Sequence, residues 1–134
     1  MLNINNPGNI RKDGQHWLGE TEPSSNASFK EFDTIAYGYR AMFIDLRSKI
    51  NAGTNTLRKI IYKYAPPNEN NTTIYVSNVS EWSGVDADQE LTLDIGDAIF
   101  NIVCAMSRQE NGINANITDV QAGFDLQQSI KKKL

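Results

Sequence analysis

The chain has 134 residues, 40% of them hydrophobic and 22% charged, with a formal net charge of −3. That is the size of one ordinary domain, long enough to bury about two-thirds of its unfolded surface. The acidic balance argues against a general nucleic-acid binder, which needs a basic face against phosphates. The lone Cys104 excludes an internal disulfide and a cysteine metal cluster, and a histidine-based zinc site or a Ser-His-Asp triad would need the lone His16 in the right place.

Met1-Leu2-Asn3-Ile4-Asn5-Asn6 lacks the basic and apolar blocks of a secretory signal. No apolar stretch reaches transmembrane length. Residues 1–33 read as irregular to β. Asn6-Pro7-Gly8-Asn9 is a turn signal, His16-Trp17-Leu18 and Phe29-Lys30-Glu31-Phe32 are short enough for strands, and Glu22-Pro23-Ser24-Ser25-Asn26 makes a hairpin-like loop between them. From Thr34 the period becomes helical: Ala41, Ile44, Leu46 and Ile50 share a face, and Gly53 stops the helix. A second helix fits Thr56 to Tyr64 and ends at Pro66-Pro67. A third runs from Asn71 to Trp82, closed by Gly84.

The strongest helix begins at Leu93 or Asp97 and ends at Gln109. Ile99, Phe100, Ile102, Val103 and Met106 make it apolar nearly all round, so it is central to the core, with Cys104 as a small core residue. Thr118 and Gln121 have capping-box spacing for a last helix reaching Lys132. The run Lys131-Lys132-Lys133 reads as a solvated tail suited to the negative end of that helix. The predicted plan is a small β region followed by five helices: α+β, mainly α, in a single domain.

Asn6-Pro7-Gly8-Asn9-Ile10-Arg11, Trp17-x-Gly19, Phe29-x-x-Phe32, Tyr37-Gly38-Tyr39-Arg40-Ala41, Thr56 with Ile60-Ile61, Tyr64-Ala65-Pro66-Pro67-Asn68-Glu69-Asn70, Tyr75 and Glu110-Asn111-Gly112 form an ordered set over residues 5–112. That set resembles a family of short phage and prophage minor virion structural proteins with a lysozyme-like fold. A more distant similarity connects it to peptidoglycan glucosaminidases and lytic transglycosylases. In the flagellar-type glucosaminidases a catalytic Glu ends a buried helix, and an Asn-x-x-Gly-Ile-Lys-like turn and a β region follow it. Here the turn and β region come first and the helix before Glu110 comes last. The resemblance therefore implies a lysozyme-like domain over residues 1–134, circularly permuted so that helix 97–109 delivers Glu110 beside the Asn6 turn.

It also implies a phage or prophage enzyme that cleaves peptidoglycan glycan strands with a Glu acid. Such an enzyme needs no metal and no cofactor, has virion proteins as further partners, and works from the virion or the host cytoplasm. The alternatives are a non-catalytic virion or glycan-binding protein that kept the fold, and a small phage protein that binds a host factor or small ligand in the former cleft.

Glycoside cleavage needs a carboxylic acid still protonated near neutral pH, which burial against apolar groups provides. A second carboxylate about 5–5.5 Å away suits a retaining nucleophile and a wider gap an inverting base. Three glutamates are candidates. Glu110 ends the most apolar helix, or else is a solvated residue beside the Asn111-Gly112 helix stop. Glu69 is a catalytic candidate or the cap of the helix beginning near Asn71. Glu20 is a candidate in the β region or a surface charge near a turn. Asn6, Asn9, Arg11, Trp17, Tyr37, Tyr39, Tyr64 and Tyr75 could line a glycan groove, with core packing as the alternative for the aromatic residues. Arg40 is free to pair with Glu69 or Asp33.

Overall fold

In the computed structural model, residues 3–94 and 96–133 are described, with side chains as far as residue 128. The start of the N-terminal segment (Met1 and Leu2) and the side chains of Lys131–Lys133 lie outside the described residues. The elements are β1 (Glu20–Thr21), β2 (Glu31–Phe32), α1 (Ile35–Asn51), α2 (Leu57–Tyr64), α3 (Thr72–Ser83), α4 (Gly96–Asn111) and α5 (Ile117–Lys133). The architecture is α+β and mainly α.

The β region is smaller than its sequence implies. β1 and β2 pair antiparallel with Glu20 opposite Phe32 and Thr21 opposite Glu31, and one isolated bridge joins Arg11 to Phe29. His16–Leu18 do not form a strand. The chain turns there, with the Glu20 N–H donating to the Trp17 carbonyl at 3.0 Å. Gly19 makes that turn possible: it holds φ at 75°, and a Cβ on it would run into the Tyr37 ring.

Side-chain oxygens open the helices where the first N–H groups lack partners. Thr34 accepts from Tyr37 N–H, Thr56 from Lys59 N–H and Asn71 from Ile74 N–H. Asn71, not Glu69, therefore caps α3. At α5 the capping oxygen belongs to Asn116, which accepts from Asp119 N–H at 3.2 Å. Thr118 already lies inside the helix, so its spacing to Gln121 does not mark the start. Gly84 ends α3 in the left-handed conformation. α4 continues to Asn111, two residues beyond its predicted end, and so carries Glu110 in its last turn.

Phe43, Leu46, Leu57, Ile60, Ile61, Ile99, Ile102 and Met106 are almost fully enclosed. Phe43 of α1 and Phe100 of α4 each meet Phe124 of α5 edge-on, with ring centroids 5.3 and 6.1 Å apart. Cys104 is half-buried at the edge of this core, and burial pushes its thiol pKa up. α5 comes so close to α1 that a Cβ on Gly123 would sit 2.5 Å from Tyr39 Cβ and 2.7 Å from the Arg40 backbone nitrogen. Arg40, beside this contact, is buried, and burial lowers its pKa. Among the described residues it pairs with neither Glu69 nor Asp33, because Glu69 faces Arg11 and Asp33 accepts from the Thr21 hydroxyl.

Candidate active site

The loop over residues 5–11 is built to stay put. Asn5 and Asn9 hold φ at 55° and 50°, a left-handed conformation that Asn tolerates better than most residues. The Asn9 N–H closes the turn on the Asn6 carbonyl at 3.1 Å. The buried Asn6 amide spends both donors inside the protein, on the Ile10 and Lys30 carbonyls at 2.9 and 2.8 Å, while its oxygen accepts from Ile10 N–H. Gly8 packs too closely for a side chain: a Cβ would lie 2.8 Å from Met42 Cγ. Its carbonyl accepts from the Tyr64 hydroxyl.

α4 is fastened to this loop by its last residue. Asn111 donates to the Pro7 carbonyl at 2.8 Å and to the Ser107 carbonyl at 2.8 Å, and Gly112 then leaves the helix with φ at 74°. One residue earlier, the half-buried Glu110 carboxyl accepts a hydrogen bond on each oxygen. Asn9 Nδ2 donates to Oε1 at 2.8 Å, and the Tyr75 hydroxyl of α3 donates to Oε2 at 2.8 Å. Burial raises the Tyr75 phenol well above its usual pKa, and the neighbouring Tyr64 and Glu110 add to this, so Tyr75 remains a donor. Burial likewise raises Tyr64, with Glu110 and Asp45 contributing. No cation pairs with Glu110 among the described residues.

A cleft of about 360 Å³ opens over this carboxyl. Asn9, Arg11, Trp17 and Phe29 line it from the N-terminal region, and the Arg11 guanidinium lies 5.1 Å above the Phe29 ring. Asp45 and Lys49 line it from α1, joined at 2.6 Å, with the Lys49 ammonium 5.5 Å from the Tyr64 ring centroid. Lys63 and Tyr64 contribute from α2. Glu69 and Asn70 stand on the loop after it, and Glu69 reaches toward Arg11 at 3.8 Å.

Glu20 is not in the cleft. It is buried and accepts from the Trp17 N–H and from Lys30 Nζ, both at 2.9 Å. Lys30 is enclosed to 1% exposure and holds Asp13 on its other side at 2.8 Å. Burial works to lower the Lys30 pKa, but the two carboxylates outweigh it and the net shift is upward. Burial works to raise Asp13, but hydrogen bonds from Lys30, Gln15 N–H and Trp17 outweigh it and leave Asp13 below its ordinary 3.8. With the folded pKa below the unfolded one, Asp13 contributes stability above about pH 3.8 that is lost as pH falls through the depressed folded value. Asp13→Asn is therefore expected to flatten the acid limb of a stability–pH curve read from urea midpoints. Glu20→Gln leaves the enclosed ammonium with one carboxylate and should cost about 2 kcal/mol of unfolding free energy in the same measurement.

No family model matches the sequence. Protein P5 of Pseudoalteromonas phage PM2 is 33% identical over 129 residues, which span 92% of this chain and 79% of that protein. The chain belongs to the P5 family. Its kinship is thus with a phage protein, and no described helix is long and apolar enough to cross a membrane.

Of the site residues expected from sequence, this P5-family chain gathers Asn9, Arg11, Trp17, Tyr64, Glu69 and Glu110 around one cleft, with Tyr75 behind the Glu110 carboxyl. Asn6 and Tyr39 instead border a separate cavity of about 280 Å³. Tyr39 is buried there, its hydroxyl 2.8 Å from Ser107 Oγ. Tyr37 packs against Gly19. Sequence reasoning missed Asp13, Asp45, Lys49 and Lys63 as cleft residues, and Lys30 as the buried charge beside it. Asp45 and Lys49 carry a readable signal, because opposite charges four residues apart meet on one helix face. His16 lies at the rim of the β region with Nδ1 3.2 Å from a Glu22 carboxylate oxygen.

Proposed function

We propose that the chain is a phage-encoded enzyme that cleaves the glycan strands of peptidoglycan, a single lysozyme-like domain circularly permuted relative to the glucosaminidases it resembles, with Glu110 as its general acid. The observation that carries this reading is the half-buried Glu110 carboxyl at the cleft, met by two neutral groups and by no cation among the described residues, with a Tyr75 hydroxyl that can turn to accept from the protonated acid. A group that must hand a proton to a glycosidic oxygen has to be fixed in direction and open to the substrate. Asn9 and Tyr75 supply the fixing, and the cleft supplies the access.

A glycan strand seated in the cleft stacks its rings on Trp17, Phe29 and Tyr64, while the Asn9, Asn70 and Arg11 donors meet hydroxyl and acetamido oxygens. Glu110 protonates the bridging oxygen as its bond to the anomeric carbon breaks, and the oxocarbenium-like centre is captured by water or by a hydroxyl of the same sugar, whose proton passes to the Glu110 carboxylate and restores the acid. Asp45 is tied to Lys49 and Glu69 faces Arg11, so Glu110 is the cleft acid best placed to act alone. Kinship with a phage protein supports a setting in which a bacterial wall must be opened, from the virion or from the host cytoplasm.

Clearing of purified peptidoglycan, followed by mass spectrometry of the soluble fragments, tests the proposal. The expected result is release of oligosaccharide muropeptides, with the terminal sugar reporting whether water or an internal hydroxyl attacked. Binding to the wall without release, even at high protein concentration, would replace this reading with a non-catalytic glycan-binding or virion role.

A further inference from the structure

The charges around the cleft pair off unevenly. Asp13 is held by Lys30 at 2.8 Å, Asp45 by Lys49 at 2.6 Å, and Glu69 faces Arg11 at 3.8 Å. Two charged side chains are left over. Glu110 is satisfied by neutral donors. Lys63, exposed in the last turn of α2 next to Tyr64, lines the same cleft and has no carboxylate partner among the described residues.

We infer that Lys63 receives a carboxylate of the bound glycan, so that the cleft selects strands carrying anionic substituents over neutral strands of the same length. This rests on the reading of the cleft as a peptidoglycan site. Peptidoglycan differs from a neutral N-acetylglucosamine polymer in that alternate sugars carry a lactyl ether and a stem peptide with free carboxylates. Those groups project from the side of the strand, where a cation on the cleft wall meets them while the rings lie over the aromatic floor. Lys49 lies 2.6 Å from Asp45, and Arg11 stands 3.8 Å from Glu69 with its guanidinium still open to the neutral oxygens of a ligand, which leaves Lys63 as the cleft cation that faces no acid of the protein among the described residues. Lysine suits this role, because a flexible stem and a compact ammonium meet a carboxylate at variable positions along a mobile peptide. A lysine in the last turn of a helix also suits the helix dipole, but that interaction confers no preference between ligands, and the test uses this difference.

Calorimetric titration separates the two roles. All proteins carry Glu110→Gln so that the ligand is not consumed, and the ligands are two tetrasaccharides of equal length, one neutral N-acetylglucosamine oligomer and one muramyl-peptide tetrasaccharide. The muramyl-peptide ligand should bind about three- to fivefold more tightly at low salt, the size of an exposed ion pair, with the preference shrinking as salt rises. Adding Lys63→Gln should remove the preference and leave affinity for the neutral oligomer unchanged, and Lys63→Arg should restore it. Equal affinity for both ligands, or equal weakening of both by Lys63→Gln, overturns the inference while leaving the glycan reading intact. If neither tetrasaccharide binds, the glycan reading falls and takes the inference with it.

Discussion

Replacing Glu110 by Gln is expected to reduce peptidoglycan clearing by about a thousandfold, within the range that a positioned general acid contributes. The protein should still fold. Gln matches Glu in size, its carbonyl oxygen can keep the Asn9 hydrogen bond, and its NH₂ can turn to the Tyr75 hydroxyl, which accepts as well as it donates. The circular dichroism spectrum and the urea midpoint of the variant should therefore stay near those of the parent protein while the rate collapses. Retained clearing by a folded Glu110→Gln protein would remove the acid from the mechanism.

Gly38→Ala should produce a large stability loss for the addition of one methyl group, about 3 kcal/mol by urea unfolding. A Cβ at this position would overlap the Asn5 carbonyl oxygen and lie 2.6 Å from Pro7 Cδ. Neither neighbour can step aside freely. Asn5 donates from its side chain to the Phe32 carbonyl, Asn6 is bound at both ends of its amide, and the Pro7 carbonyl is held by Asn111. The loop must lift from α1 as a unit, which carries Asn9 away from Glu110. Activity should fall with stability for that reason. Gly53→Ala is the control. Its φ of 93° penalises a side chain, but nothing lies within 4 Å of the added carbon, so the cost should be about 1 kcal/mol with clearing rate kept. Equal effects from the two glycines would mean that the close approach of loop and helix is not what holds the turn.

The first three helices were legible because each carries both a period and punctuation, and α4 was legible from its apolar face. Thr34, Thr56, Asn71, Pro66 and Gly84 stand where the chain starts or stops turning, and the apolar face of α4 runs through Ile99, Ile102, Val103 and Met106. The N-terminal region was read less well for a physical reason. Its strands pair over two residues each, too short for alternation to register, and side-chain hydrogen bonds from Asn5, Asn6 and Lys30 replace a ladder. Thr118 misled because Asn116, a better cap residue than Thr, lies two positions earlier and takes the role.

At the site, the Asn-Pro-Gly-Asn turn and Glu110 stood out as residues, while the bond between them spans 101 positions and belongs to the packing. Tyr75 read as a groove or core aromatic, and the structure makes it the second donor to the acid. Lys30 gave little signal: alternation in Phe29-Lys30-Glu31-Phe32 puts it on the face of the buried Phe32, but nothing local announces that two carboxylates enclose it.

The most direct test of the central claim, that Asn9 and Tyr75 aim the Glu110 carboxyl at a bound glycan, is a crystal structure of the Glu110→Gln protein with a muramyl-peptide tetrasaccharide. The account predicts sugar rings over Trp17 and Tyr64 and a bridging glycosidic oxygen about 2.6–3.2 Å from the side-chain terminus of residue 110. A tetrasaccharide bound elsewhere, or one in the cleft with every glycosidic oxygen beyond reach of that side chain, would contradict it.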